Sequence, residues 1–163
     1  MKKTEKYNYL PFKEWKWRSY DGKNRIDIEE YVKSKRDDCY FFIGTDSQNY
    51  SKKRNCVFTS VLIAYKMHRG GSVVIHRDTV SYMDSLRQRL LMEAMRSLEI
   101  AWWLTQHIPK DNVIGIHLDV NQSLKFKSGQ YKDELVGLVC AQGFQAIVKP
   151  DSFAASKCAD RKC

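Results

Sequence analysis

From Cys39 onward, strand-like and helix-like patterns follow one another in an order that limits the fold more than any other feature of this chain. Cys39 to Ile43 is an apolar run ended by Gly44, Thr45 and Asp46, the pattern of a buried strand opening onto a loop. Cys56 to Met67 and Ser72 to Val80 are rich in Val, Phe, Thr, Ile and Tyr, with His68, Arg69, Gly70 and Gly71 turning between them. The three runs predict an antiparallel meander. Ser85 is placed to cap a long helix from Leu86 to about His107, which Pro109 ends. Val113 to Leu118 is another buried strand, and it delivers Asp119. Tyr131 to Cys140 reads as a helix with Gly143 just past its end, and Phe144 to Val148 as a last strand closed by Pro150. Ahead of these, Ile28, Tyr31 and Val32 recur at helical spacing between Ile26 and Lys35, with Asp27 as N-cap and Glu29 and Glu30 in the first turn. Residues 152 to 162 suit a short terminal helix. The expected order is helix, three strands, helix, strand, helix, strand, helix, which is an α/β layer with a mixed sheet.

The size and composition, 163 residues with 43% apolar and 29% charged, predict one globular domain over residues 26–163 preceded by an arm of residues 1–25. The net charge of +9 points to a polyanionic partner, with nucleic acid the first candidate. No apolar stretch approaches the ~18 residues of a membrane span, and Lys2, Lys3 and Lys6 lead into Tyr7, Asn8 and Tyr9 rather than an apolar signal core; a cytoplasmic location is expected. Five scattered cysteines, an odd number, predict reduced thiols, and their spacing offers no zinc set. Residues 1 to 25 interleave Lys and Arg with Tyr7, Tyr9, Phe12, Trp15, Trp17 and Tyr20. That mixture suits phosphate neutralisation and base stacking, but the buried area such rings contribute favours packing on the domain.

Two of the expected strands deliver an aspartate at their carboxyl ends, Asp46 and Asp119. Binding sites of open α/β sheets lie outside those ends, so parallel neighbours would bring both carboxylates into one crevice. An aspartate at a strand end also serves as an Asx turn or helix cap. Glu93 is the third candidate. At about 100° per residue it lies within about 20° of Leu86 and Leu104, on the border of the stripe of Leu90, Ala94, Leu98 and Ala101. Glu99 falls instead with Gln88 and Arg96 on the expected outward face. Asp160 of the terminal helix is the fourth; Asp151 competes for the place but, beside Pro150, suits a turn or cap. Oxygen-only sites of this kind suit Mg²⁺ or Mn²⁺, and paired ions assist in-line displacement at phosphorus. Lys125 and Lys127 after Asp119, with Lys149, Lys157 and Arg161 near the terminal helix, are candidate phosphate contacts. His117 reads as a core or boundary residue rather than a general base.

Phe42-Ile-Gly-Thr-Asp-Ser-Gln48, Ser85-Leu-Arg-Gln-Arg-Leu-Leu-Met-Glu93, His117-Leu-Asp-Val-Asn121 with Lys-Ser-Gly at 127 to 129, and Lys149-Pro-Asp-Ser-Phe-Ala-Ala-Ser156 running to Ala159-Asp160-Arg161 together resemble the ribonuclease H-like superfamily, and within it the YkuK-like bacterial family. The resemblance spans about residues 26 to 163. It implies a five-stranded sheet in the order 3-2-1-4-5 with strand 2 antiparallel and helices on both faces. It also implies that Asp46, Glu93, Asp119 and Asp160 hold two divalent ions and hydrolyse phosphodiester bonds of RNA, a hybrid or structured DNA. A nucleic-acid-binding module without catalysis is the alternative. An actin-like nucleotide-binding domain shares the strand order but is disfavoured, since Asp46 lacks neighbouring glycines to cradle phosphates.

Overall fold

A computed structural model describes residues 10–109, 112, 114–154, 159 and 162. Its strands are β1 (Trp17–Ser19), β2 (Arg25–Ile26), β3 (Tyr40–Tyr50), β4 (Asn55–Lys66), β5 (Gly70–Ser81), β6 (Ile114–His117) and β7 (Gln145–Ile147). The helices are α1 (Ile28–Lys33), α2 (Leu86–Thr105) and α3 (Lys132–Ala141). They form one seven-stranded sheet in the order β2-β1-β5-β4-β3-β6-β7, in which β3–β6 and β6–β7 are parallel and the other pairs antiparallel. The sheet is therefore mixed α/β but wider than the expected five strands. The five lie within it, and the stretch ahead of α1 supplies β1 and β2 at the β5 edge.

The local signals act where their chemistry predicts. Asp27 accepts the Glu29 and Glu30 amides at the start of α1, and Ser85 accepts the Gln88 amide at the start of α2. The β4–β5 turn places His68 and Gly70 at φ of 61° and 82°, a conformation glycine adopts without strain. The core lies between the sheet and α2, where Phe41, Ile43 and Leu62 meet Leu90, Ala94, Leu98 and Ala101. Trp15 and Trp17 are buried in the same core, stacked and tilted against His76.

Two expectations need correction. β3 does not open into a loop at Gly44: pairing with β4 runs on to Tyr50 opposite Asn55, so Asp46 sits inside a strand opposite Thr59. The polar residues beyond Ile43 look loop-like because one strand of a hairpin can continue after its apolar section ends. Arg96 does not face outward but is buried with 1% of its surface exposed. Its guanidinium donates to Asp78 of β5 at 2.9 Å and lies over the Phe58 ring at 4.4 Å, so the wide sheet covers a helix face that a wheel assigns to solvent. Cys39, Cys56 and Cys140 are free thiols. No described helix is long and apolar enough to cross a membrane.

Candidate active site

The sheet splits at one point. β6 runs parallel to β3 only from Phe41 opposite Ile114 to Gly44 opposite His117. Beyond it the chain turns to the other neighbour: the Leu118 amide donates to Ile147 at 2.8 Å and the Lys149 amide to Val120 at 3.1 Å. β3 meanwhile stays with β4. A narrow gap lies between them, with about 200 Å³ of empty space, lined by Thr45, Leu90, Glu93, Ser97, His117 and Asp119. Asp46 and Asp119 each lie two residues past the last parallel pair, Gly44 and His117, and so stand at the same level on the two sides of the split.

Strand alternation sorts the side chains by face. Thr45 bonds Ser97 of α2 at 3.0 Å and Ser47 donates to Glu93 Oε1 at 2.6 Å, so these two face the helix. Asp46 between them points to the opposite face, as does Phe42, which contacts the His117 ring. Leu118 and Val120 are buried in the helix-side core, which leaves Asp119 on the face that Asp46 occupies. Glu93 enters from the helix side and lines the gap.

The electrostatics of the gap are one-sided. Glu93 is 6% exposed, and its carboxyl is pushed well above the ordinary carboxylate range, first by burial and then by the negative charge of Asp46. Asp119 pushes the same way, while the Ser47 hydroxyl and Arg89 oppose the shift without cancelling it. Arg89 is four residues before Glu93 on α2 and donates to the Ser47 carbonyl at 3.1 Å. Lys149 stands 2.7 Å from Asp119 Oδ1. His117 Nδ1 accepts the Ala154 amide at 3.0 Å and its ring packs edge-on to Phe153, an arrangement that anchors the start of the terminal segment. Burial holds its pKa down to about 4, so the ring is neutral.

The negative charges of Asp46 and Asp119 both act on the buried Glu93 carboxyl, whereas Asp160, Lys157 and Arg161 lie outside the described residues. Among the described residues, no group of three or more His, Cys, Asp or Glu side chains is arranged to hold a metal ion. Lys125 and Lys127 are exposed after Asp119, and Lys149, with 33% of its side chain exposed, is paired with that aspartate. Ser47 and Arg89 belong to the site and were not among the expected residues. The four-residue spacing of Arg89 and Glu93 on a helix was the available signal.

The fold and the split sheet place the chain in a known class: it belongs to the ribonuclease H-like family, whose model matches residues 25–163. It is similar to the uncharacterized protein YkuK of Bacillus subtilis (strain 168), with 29% identity over 140 residues, covering 73% of this chain and 76% of that protein. No solved structure matches. Membership suggests a function connected with nucleic acid.

Proposed function

We propose that this crevice is the catalytic centre of a divalent-metal-dependent nuclease that hydrolyses phosphodiester bonds of RNA or structured nucleic acid. The observation that carries the reading is the Glu93 carboxyl, made hard to ionise first by burial and then by the charges of Asp46 and Asp119, at the point where the parallel strands part. Such an arrangement costs stability unless a cation enters, and oxygen donors of this kind suit Mg²⁺ or Mn²⁺. The association of Lys149 with Asp119 is a second sign that the gap attracts positive charge. Asp46, Glu93 and Asp119 are the residues that would hold the ions, with Asp160 proposed as the fourth. Bound ions of this type activate water and stabilise the leaving oxygen. Ser47 fixes one oxygen of Glu93 through its hydrogen bond, and Arg89 fixes Ser47, so the carboxylate is oriented before substrate arrives. Lys125 and Lys127, exposed and soon after Asp119 in the chain, would neutralise phosphates.

A nucleic-acid-binding module without catalysis is favoured by one observation, the lack of a three-ligand metal group among the described residues. Cleavage assays on single-stranded, duplex, hybrid and junction substrates separate the two readings. The nuclease cuts at least one with Mg²⁺ or Mn²⁺, stops with chelator, and loses activity as Asp46→Asn. Salt-dependent binding with no cleavage under either ion contradicts the catalytic reading.

A further inference from the structure

The stretch ahead of α1 divides its aromatic and cationic residues between the two faces of the sheet. Trp15 and Trp17 turn into the core, 6% and 2% exposed, while Lys16 and Arg18, alternating with them, are exposed on the other side. There Lys16, Arg18, Tyr20, Arg77 and Lys162 line one cleft, with Asp21 the carboxylate among its described residues. Asp21 is tied to the Ser19 hydroxyl at 2.5 Å and to the Lys23 amide at 3.0 Å. Arg77 also lines an adjoining cleft with Lys53.

The register joins these cations to the acidic crevice. Asp46 of β3 pairs with Thr59 of β4, and Thr59 with Arg77 of β5. In the next strand Arg18 pairs with Ile75; Thr59 itself is fully buried, its hydroxyl donating to the Lys162 carbonyl, so Asp46 and Arg77 lie on the two sides of a covered position in this row. At about 4.8 Å per strand, Arg77 lies about 10 Å and β1 about 14 Å from Asp46. With a rise of about 3.4 Å per nucleotide along one strand, that is about three nucleotides to Arg77 and about four to β1. Arg18 also stands directly opposite Arg25 across β1 and β2, a like-charge pairing of the kind that destabilises a ribbon.

We infer that this face, from Arg77 outward to Lys16 and Arg18, is a backbone-binding track that grips nucleic acid about three to four nucleotides to one side of the acidic crevice. The inference rests on the nucleic-acid reading of that crevice and adds an asymmetric footprint. β1 precedes the region the family model matches, so the outer part of the track is built by residues ahead of it.

The test is fluorescence anisotropy of the full chain with a labelled 20-base-pair RNA duplex, in chelator, across a salt series. Three variants are compared with wild type: the triple variant Lys16→Gln, Arg18→Gln, Arg77→Gln; the charge-keeping Lys16→Arg, Arg18→Lys, Arg77→Lys; and a control of equal charge loss, Lys33→Gln, Arg36→Gln, Lys66→Gln. Thermal unfolding checks that each folds. Each phosphate contact contributes about 0.9 to the slope of log affinity against log salt, so the first triple lowers it by about 2 to 3. The charge-keeping triple retains the wild-type slope, and the control changes it by less than about 1. A wild-type slope in the first triple, or an equal fall in the control, overturns the track and leaves the crevice reading standing. Wild type that binds no duplex also overturns the track, and the crevice reading is then decided by the cleavage assays on the four substrates.

Discussion

Two buried charges lie three residues apart on α2, and the protein treats them in opposite ways. Arg96 is 1% exposed and is met by Asp78 at 2.9 Å, with the Phe58 ring below it. Glu93 is 6% exposed and is surrounded by like charge from Asp46 and Asp119, with a hydroxyl and the more distant Arg89 as partial relief. Burial penalises both, but only the first meets its opposite in direct contact. A buried charge that is paired is explained by packing. One held among charges of its own sign is left unexplained by packing, and such sites are where function concentrates. On the proposed function, the β3–β6 split is the working end of the molecule and the α2–β5 contact is part of its frame.

The largest effect expected is on activity. Asp46→Asn removes one of the three carboxylates at the split, and because loss even of an indirect support to a metal ligand costs about 10- to 100-fold, cleavage should fall by at least about 100-fold. The circular dichroism spectrum should not change. Breaking the paired charge should act on stability instead. Asp78→Ala leaves Arg96 buried without its partner and should cost about 3 to 5 kcal/mol by urea unfolding, with Arg96 no longer compensated.

His117 sharpens the contrast by responding to pH. Its pKa is held down to about 4 in the folded chain against an ordinary value of 6.5, so the unfolded chain binds the extra proton first. Stability is lost as pH falls from about 6.5 towards 4, by roughly 3 kcal/mol in all. Urea unfolding at several pH values reads this, and His117→Gln should flatten that limb of the profile. Glu93 has the opposite sign. Its raised pKa means that stability falls as pH rises above the ordinary carboxylate range, until the folded pKa is passed. Glu93→Gln should therefore raise the melting temperature at pH 7 by a few degrees in chelator, about 2 to 4 °C for each kcal/mol recovered. A stability loss in that variant would place Glu93 with Arg96 as a structural charge.

Much of this contrast was legible in the residues and part was not. The apolar runs around Ile43 and Ile116, the caps Asp27 and Ser85, and the border position of Glu93 are local patterns, and they locate the carboxylates at the split. The continuation of β3 past Asp46 depends on pairing with β4, which local polarity does not reveal. Arg96 reads as a surface residue until Asp78, eighteen positions earlier, is known to face it. β1 and β2 are three and two residues long, too short for periodicity to mark, and they exist because β5 offers an edge.

The central claim is that the split binds a divalent cation through Asp46, Glu93 and Asp119. Thermal unfolding with and without millimolar Mg²⁺ or Mn²⁺ tests it most directly, because an ion held at 100 times its dissociation constant adds about 2.7 kcal/mol to the folded state. The melting temperature of wild type should rise with the ion, and Asp46→Asn and Glu93→Gln should lose that rise. No rise in wild type, or an equal rise in all three proteins, would contradict it.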